Sequence, residues 1–263
     1  MSAATATQMW ALEGPTLTLD KALLMVGQAS EEITTPCPAF LIDHPRGLVL
    51  FDAGLAPDAA GDPATYYGHG LVDFTGMKFE EHQRIDRQLE SLGVALADIK
   101  FVVLSHAHFD HMGGVHLFPQ AKIIIGAREM AYARWPKPAH AGLYIQKELD
   151  ALDPKQLYEV GTDFDMFGDG SVVVLQTPGH TPGEMSLLVR LPSQSIILTG
   201  DAVHIREQLE FTESMAAGLD VNADDAVRSI KKIQLLAALN DATVWVAHDP
   251  RDWEKFGGAK KYM

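Results

Sequence analysis

"SHAHFDHMGG", residues 105–114, places three histidines around one aspartate directly after an apolar run. The chain has eleven histidines in 263 residues, yet His106, His108 and His111 fall close together around Asp110. His106 and His108 are separated by one residue, so in an extended backbone both side chains point to the same side. Imidazole and carboxylate suit zinc and related divalent ions, and four such groups can serve two neighbouring ions. The stretch therefore predicts a metal site at the end of a strand.

Three further candidate ligands each follow an apolar run: His180 in "QTPGHTPG", Asp201 in "ILTGDAVH" and His248 in "VWVAHDP". Polar residues at strand ends from distant segments can converge at one rim of a sheet. Each also has an ordinary alternative, namely a turn cap, a helix N-cap and a hydrogen-bonded core histidine, in that order. Together with the first cluster they supply five histidines and two aspartates, enough for two ions that share a carboxylate.

Composition disfavours several classes of function. The 35 acidic and 21 basic residues give a formal net charge of −14, which opposes binding to nucleic-acid phosphates. No apolar run approaches the roughly 20 residues that span a bilayer, and the N-terminus lacks the features of a secretory signal. We therefore expect a cytoplasmic protein that binds neither nucleic acid nor a membrane. Cys37 is the only cysteine, which predicts that any metal is held by nitrogen and oxygen.

Short apolar runs bounded by turn residues predict β-strands. They lie at 38–42, 47–54, 99–105, 121–126, 171–177, 184–190, 195–200 and 243–248. The spacing of apolar residues predicts an amphipathic helix over 80–92 and a longer helix from Asn222 to Asn240. This order of elements favours two packed sheets with helices outside them, and we expect one domain covering residues 1–263.

Two stretches, 61–79 and 131–145, mix glycine or proline with aromatic residues, which is typical of loops that can cover a pocket. An apolar ligand chain gains by leaving water for such aromatic surface. The candidate wall residues are Tyr66, Tyr67, Phe74 and Met77. The same aromatic patches make a homodimer conceivable.

The combined motifs resemble those of the metallo-β-lactamase superfamily. The chain carries "HAHFDH" at 106–111, "PGHTPG" at 178–183, "GDAV" at 200–203 and a late histidine at the end of a strand. The match runs from about Asp52 to His248. The resemblance implies an α+β fold, the four-layer αββα sandwich, with a binuclear metal site between the sheet edges.

The resemblance also implies a role for each candidate ligand. One ion would be bound by His106, His108 and His180, the other by Asp110, His111 and His248, and Asp201 would bridge the two. Asp52 in "LFDAG" matches a recurrent position beside the site, where it would orient a ligand histidine through a hydrogen bond. Zinc is the first expectation for both ions, and manganese, cobalt and iron are alternatives because nitrogen and oxygen ligands accept all of them.

Within the superfamily, the chain resembles the N-acyl homoserine lactone lactonases in "MWALEGPTLTLD", in "PAFLIDHPRGLVLFDAGL" and in its size. This implies quorum quenching by opening of the lactone ring, through attack of a hydroxide that bridges the two metals. Asp110 would then pass a proton to the leaving oxygen. His204 stands where many of these lactonases carry a tyrosine, and it would donate a similar hydrogen bond to the substrate carbonyl. Asp110 and His204 are therefore the candidate catalytic residues.

Other activities are compatible with the same motifs. An arylesterase, an organophosphate hydrolase or a glyoxalase II-like thioesterase would use the same scaffold and metals. From other classes, a mononuclear iron oxygenase or a non-catalytic ligand-binding protein are remote alternatives, because the chain carries a full set of ligands for two ions.

Overall fold

A computed structural model describes residues 5–257 and 261–263, and their strands form two large sheets and one separate hairpin. The strands are β1 Gln8–Leu12, β2 Thr16–Asp20, β3 Glu32–Pro36, β4 Ala39–Asp43, β5 Leu48–Phe51, β6 Ile99–Val103, β7 Lys122–Gly126, β8 Leu157–Val160, β9 Phe164–Asp165, β10 Val172–Gln176, β11 Met185–Arg190, β12 Ser195–Leu198, β13 Ala242–Trp245 and β14 Lys261–Tyr262. The first sheet has the order β14-β1-β4-β5-β6-β7-β8 and the second the order β13-β12-β11-β10-β9, while β2 pairs with β3.

Most of the helices are short and connect or cover the strands. They are α1 Lys21–Leu24, α2 Pro63–Tyr67, α3 His69–Thr75, α4 Ile85–Ser91, α5 Phe109–Met112, α6 Glu129–Arg134, α7 Gln146–Asp150, α8 Arg206–Phe211, α9 Ala223–Asn240 and α10 Pro250–Phe256. Within the described ranges, no helix combines the length and the apolar character that crossing a bilayer requires.

The two large sheets pack face to face. Phe40 and Ile42 of β4 lie in the same buried apolar cluster as Leu187 and Trp245 of the second sheet. Leu41, between them in sequence, packs in a different cluster on the opposite face. Successive side chains of a strand point to opposite faces, so a strand covered on both faces reads as an uninterrupted apolar run. This explains the apolar stretch around β4.

Helices cover the outer face of each sheet. Leu89 of α4 and Leu149 of α7 join the cluster outside the first sheet. Ile230 and Ile233 of α9 pack with Ile197 of β12 outside the second sheet. The layers therefore run helix, sheet, sheet, helix, which confirms the α+β, four-layer αββα sandwich.

All eight predicted strands are present, with ends that differ by up to three residues. The second predicted helix is also confirmed: the Asn222 side chain accepts the Asp225 N–H at 3.1 Å as the N-cap of α9. Its last residue is Asn240, and Asp241 follows in the left-handed conformation at φ 48°. The strands that sequence patterning missed are β1, β2, β3, β8, β9 and β14, which are short or carry polar residues on one face.

The helix predicted over 80–92 is shorter than expected. A 3-10 turn at Glu81–Gln83 precedes α4, because the Gln83 side chain accepts the Glu80 N–H at 2.9 Å and closes a separate turn. Ile85 and Leu89 are buried as predicted, whereas Leu92 is 39% exposed beyond the helix end.

The two predicted loops are wrong in part, because their glycines and prolines delimit short helices. Residues 61–79 contain α2 and α3, with Pro63 at the first position of α2 and Gly76 ending α3 at φ 54°. Residues 131–145 begin within α6 and end in a 3-10 turn at Ala141–Leu143. Helices α2 and α3 pack with Leu17 of the hairpin in a small apolar cluster, whereas Ala133 of α6 joins the cluster outside the first sheet.

Candidate metal centre

Four loops that follow strands bring the predicted ligands together. His106, His108, Asp110 and His111 follow β6, His180 follows β10, Asp201 follows β12 and His248 follows β13. The backbone N–H of Met185, at the start of β11, donates to the carbonyl of Ser105 at 2.9 Å and ties the two sheets together beside these loops. All seven predicted ligands are buried, with at most 7% of each residue exposed.

A first group of donors consists of His106, His108, His180 and Asp201. Their ligand atoms all lie within 4.8 Å of one another. Nε2 of His180 is 3.1 Å from Nδ1 of His108 and 3.5 Å from Oδ2 of Asp201. Nε2 of His106 is 3.7 Å from the same aspartate oxygen. These distances leave one small space that four donor atoms face.

A second group consists of His111, Asp201 and His248. Oδ1 of Asp201 is 3.1 Å from Nε2 of His111 and 2.9 Å from Nε2 of His248. Asp110 adjoins this group. Its Oδ2 is 3.6 Å from Nε2 of His111 and 3.8 Å from Nε2 of His248. Asp201 thus presents one oxygen to each group, as a shared carboxylate would.

The donor sets fit divalent cations. Nε2 of His106 and Oδ1 of Asp201 are buried and have no hydrogen-bond partner among the described residues. Nε2 of His111 lies 3.3 Å from Nε2 of His248, an arrangement in which two ring lone pairs repel each other unless a proton or a cation lies between them. Buried imidazole and carboxylate groups around one space are the ligand types that zinc and related ions take.

The electrostatics of the two groups differ. Burial, reinforced by the neighbouring histidines, lowers the pKa of His106 and of His108 well below the usual value, which favours neutral imidazoles. Burial acts in the same direction on His111, but the carboxylates of Asp201 and Asp110 outweigh it and raise the pKa of this histidine. Binding of a cation in the second group would therefore displace protons.

Asp52 makes the contact that the sequence predicted. Its Oδ2 is 2.9 Å from Nδ1 of His111, and its Oδ1 accepts the backbone N–H of Ser105 at 2.7 Å. Its φ of 61° lies in the left-handed region, which directs the carboxylate into the loop after β6. A carboxylate beside Nδ1 keeps the ring proton on that nitrogen. Nε2 of His111 is then free to face the other donors of the second group.

Two more buried acids, Glu184 and Asp220, support the loops and were not predicted from the sequence. Glu184 accepts the backbone N–H of Asp201 at 2.9 Å, and its other oxygen lies 3.1 Å from Nδ1 of His106. Asp220 lies 3.5 Å from Nδ1 of His180. In the sequence, only the position of Glu184 beside an apolar strand could have indicated its role. No sequence feature indicated a role for Asp220.

Glu129 joins two of the loops. Its oxygens accept the backbone N–H groups of Ala107 and Gly183, both at 3.1 Å, and the residue is fully buried. One contact fixes the loop of His106 and His108, and the other fixes the loop of His180. Since the sequence does not show which backbone groups a glutamate reaches, this role was invisible before the fold was known.

Cys37 also lies at the centre, contrary to the expectation that only nitrogen and oxygen are available there. Its Sγ is 3.7 Å from Oδ2 of Asp110, and the residue is 2% exposed. Burial raises the pKa of this thiol to about 12. Cys37 follows β3, whose pairing with β2 was not predicted, so its position could not be anticipated.

His204, a predicted catalytic residue, lies at the wall of a cavity that opens onto the two donor groups. Its Nε2 is 3.1 Å from Oδ2 of Asp201, and its Nδ1 is buried without a hydrogen-bond partner among the described residues. The ring centroid is 4.7 Å from that of His180. The imidazole of His204 therefore lies at the cavity wall beside the first donor group.

The cavity is mainly apolar, and the space within it that the centre of a water molecule can reach is about 100 Å³. Its floor includes His108, Asp110, His180, Asp201 and His248, and its apolar walls include Leu17, Leu19, Leu23, Leu24, Phe74, Leu143, Met215 and Leu219. The prediction of Phe74 as a wall residue is confirmed.

The other three predicted wall residues are displaced from the cavity surface. Tyr66, Tyr67 and Met77 pack in the small apolar cluster behind the wall. The hydroxyl of Tyr67 accepts the backbone N–H of Ala56 at 2.9 Å, so this ring serves the packing of α2 rather than the cavity. The hairpin of β2 and β3, together with α1, takes the place of these residues.

Sequence comparison places this arrangement in a known family. The model of the metallo-beta-lactamase superfamily matches residues 33–248, and the chain belongs to this superfamily. Among characterised relatives, the N-acyl homoserine lactonase AttM of Rhizobium radiobacter is 38% identical over 231 residues, covering 86% of this chain and 87% of AttM. An N-acyl homoserine lactonase of a Bacillus species is 30% identical over 224 residues, covering 83% of each chain.

Solved structures share the fold at lower sequence identity. An N-acyl homoserine lactone hydrolase, with the product N-hexanoyl-L-homoserine bound at its catalytic metal centre, superposes with a TM-score of 0.83. It is 24% identical, and the match covers 95% of this chain and 96% of that one. AidC, a dizinc quorum-quenching lactonase, gives a TM-score of 0.71 at 18% identity, with 95% and 92% covered. These structures confirm the fold class inferred from the motifs.

Proposed function

We propose that this protein is a metal-dependent hydrolase that opens the ring of N-acyl homoserine lactones, and thereby acts in quorum quenching. The observation that carries the proposal is the position of Asp201, which presents one oxygen to each of two donor groups at the floor of an apolar cavity. The names of the relatives at 30–38% identity point to the same substrate.

The two donor groups are proposed to hold two divalent ions, with zinc the first choice for both. His106, His108 and His180 would bind one ion, Asp110, His111 and His248 the other, and Asp201 both. Such ions lower the pKa of a coordinated water and polarise a carbonyl oxygen. The roles of Asp52, Glu184 and Glu129 are to hold the ligand side chains in one arrangement.

The apolar walls provide for the acyl chain. Burial of apolar surface contributes about 25 cal/mol per Å², so a chain that fills part of the cavity adds several kcal/mol to binding. Leu19, Leu24 and Met215 offer aliphatic surface without a charged group among them. The lactone head would then lie at the polar floor, where Asp201 and the histidines are found.

Two side chains are proposed to act on the substrate itself. His204 would donate a hydrogen bond from a ring nitrogen to the carbonyl oxygen, where negative charge develops during attack on the ring. Asp110, beside the second donor group, would accept a proton from the attacking water with one carboxylate oxygen and deliver it to the ring oxygen as the ester bond breaks. Both residues line the same cavity, so one ligand can contact both.

We also propose that residues 1–263 form a single domain in the cytoplasm, with no nucleic-acid or membrane partner. Strands β1 and β14, from the two ends of the chain, pair with each other in the first sheet, which supports one cooperative unit. A homodimer remains a prediction, for which the 88% exposed Trp135 is one candidate contact.

A substrate panel tests the proposal. Acid release by the zinc-loaded protein is measured with N-hexanoyl homoserine lactone, N-decanoyl homoserine lactone and an aryl ester. Turnover of a phosphotriester and of a thioester is followed through release of the leaving group. We expect kcat/KM for the two lactones to exceed the others by at least about 100-fold, a difference of about 2.7 kcal/mol in transition-state binding. Turnover of thioesters or phosphotriesters alone would replace the lactonase assignment with one of its alternatives.

A further inference from the structure

The only thiol of the chain faces the second donor group. Sγ of Cys37, a carboxylate oxygen of Asp110 and a ring nitrogen of His248 all lie within 4.8 Å of one another, and all three residues are buried. The backbone N–H of Cys37 donates to the carbonyl of Pro15 at 3.0 Å. A Cβ on Gly14 would lie 1.5 Å from the carbonyl oxygen of Cys37, so the two segments are in close contact. The direction of the thiol is therefore set by a packed backbone.

The neighbouring imidazole is oriented as a ligand. Nδ1 of His248 lies 2.6 Å from the carbonyl oxygen of Pro36, which accepts hydrogen bonds and donates none. Nδ1 therefore carries the proton, and Nε2 faces the donor group. Pro36 adjoins Cys37 in sequence, so the same backbone segment positions both the thiol and the imidazole.

A buried carboxylate oxygen independently points to a cation at this place. Oδ1 of Asp201 lies 2.9 Å from Nε2 of His248, yet it makes no well-formed hydrogen bond to any described residue. Only 5% of Asp201 is exposed. An unpaired carboxylate oxygen in such surroundings is costly unless an ion or water satisfies it.

We propose that Cys37 is a protein ligand of the ion in the second group, together with Asp110 and His248, and that it makes this group selective for borderline and soft divalent ions. Zinc, cobalt and cadmium accept sulfur ligands, whereas manganese and magnesium prefer oxygen. The thiol proton passes to solvent as the ion binds, because the charge of the ion stabilises the thiolate. The inference rests on the metal centre of the proposed function and adds a ligand to it.

The first donor group provides an internal comparison. His106, His108, His180 and Asp201 include no sulfur. One protein molecule therefore holds one group with a thiol and one without, and a probe that reports sulfur ligation gives two different signals from the same sample.

The main test uses cadmium-113 NMR on the complete chain, stripped of metal by a chelator and reloaded with two equivalents of cadmium-113. We expect two resonances, one of them shifted downfield by sulfur ligation. In Cys37→Ser the downfield resonance should move towards the other one. Leu19→Ala, which changes the cavity wall and no donor, should leave both resonances in place. The wild-type spectrum alone decides the matter if Cys37→Ser fails to fold.

A second measurement concerns selectivity. Competition between zinc and manganese, read by mass spectrometry of the bound metals, should show that Cys37→Ser reduces the preference for zinc by about 10-fold or more in one of the two sites. An unchanged preference in the folded variant would contradict the role of the thiol.

The outcomes separate this inference from the proposed function. Two bound cadmium ions that both give resonances typical of nitrogen and oxygen ligands would overturn the role of Cys37 and leave the metal centre standing. Failure to bind cadmium at all would overturn both. A sulfur-shifted resonance in a protein that opens no lactone would support the role of Cys37 and reject the proposed substrate.

Discussion

The metal centre and the wall of the cavity above it are held in place by different kinds of contact. The donors of the centre follow strands of the two packed sheets, and carboxylates such as Asp52 and Glu129 bond the loops that carry them. The wall comes from the separate hairpin, from α3 and from the segment around Met215, which attach mainly through apolar side chains. Phe74 of the wall is 58% exposed, whereas each donor is at most 7% exposed.

Because of this difference, the metal centre and the wall should respond differently to substitution. A network of directed polar contacts has one good geometry, because a buried group that loses its partner pays the full cost of desolvation. An apolar wall tolerates changes of shape at a cost that scales with the contact area lost. Substitutions at the centre should therefore abolish metal binding or turnover, while substitutions in the wall should change substrate preference.

The largest effect is expected for Asp201→Asn. The substitution removes the negative charge that both donor groups face, so metal content should fall and kcat/KM for the lactone should drop by about 1,000-fold or more. Metal analysis by mass spectrometry and a lactone assay measure the two effects. Asp224→Asn, on the exposed first turn of α9, is the matched control. Near-normal turnover in Asp201→Asn would contradict the shared-carboxylate arrangement.

Glu129→Ala tests whether the loops are tied as described. Loss of the carboxylate leaves the backbone N–H groups of Ala107 and Gly183 buried without partners, which should lower the free energy of unfolding by about 2–5 kcal/mol. Zinc affinity should fall by about 10- to 100-fold. Urea denaturation of the apoprotein and chelator competition measure these changes. Glu210 is an exposed glutamate, so Glu210→Ala should change neither the unfolding free energy nor the zinc affinity. Equal behaviour of the two variants would contradict the role of Glu129 in joining the loops.

The buried carboxyl of Glu148 should make the stability of the protein depend on pH. Burial raises the pKa of this carboxyl from 4.5 to about 8, beside Tyr66 and Tyr67. Between pH 4.5 and 8 the folded chain keeps a proton that the unfolded chain has lost, so this group makes stability fall as pH rises through that window. At about 1.4 kcal/mol per pKa unit, the effect amounts to a few kcal/mol.

Glu148→Gln should remove this part of the pH dependence, because glutamine does not ionise. Urea denaturation of both proteins at several pH values from 5 to 9 measures it, and the difference in unfolding free energy should grow in favour of the variant as pH rises. A constant difference across the range would show that Glu148 ionises normally in the folded chain.

The smallest effect is expected at the wall. Phe74→Ala removes a ring that is already half exposed, so the ratio of kcat/KM for the decanoyl over the hexanoyl lactone should fall by only about 3- to 10-fold. Tyr67→Phe lies behind the wall and should leave the ratio unchanged, although it loses the hydrogen bond to Ala56. A larger change in Tyr67→Phe than in Phe74→Ala would reverse the assignment of wall and support.

Much of the fold was predictable because strands buried on both faces have a distinctive composition. The run at β5 is apolar throughout, and the runs at β4, β6 and β12 carry one polar residue each. Helix α9 shows a helical period with a recognisable N-cap. The weaker elements were missed where this signal is absent. Residues 61–79 are predicted as a loop because glycine and proline mark helix boundaries as well as turns, and the sequence alone does not separate the two.

The sequence by itself determined the donor chemistry of this protein. His106, His108, Asp110 and His111 are neighbours in the chain, so their types and their spacing are visible before any folding, and His180, Asp201 and His248 share the same position after a strand. Such local information survives in the sequence because it depends on covalent order alone.

Only the tertiary structure decided what surrounds these donors. Cys37, Glu129, Glu184 and Asp220 are ordinary residues in sequence, and they acquire a role through neighbours that are distant in the chain. Ala107, for example, is 22 positions from Glu129, and Asp110 is 73 positions from Cys37. The wall was likewise decided by the docking of the β2–β3 hairpin, because packing selects side chains by shape and place rather than by motif.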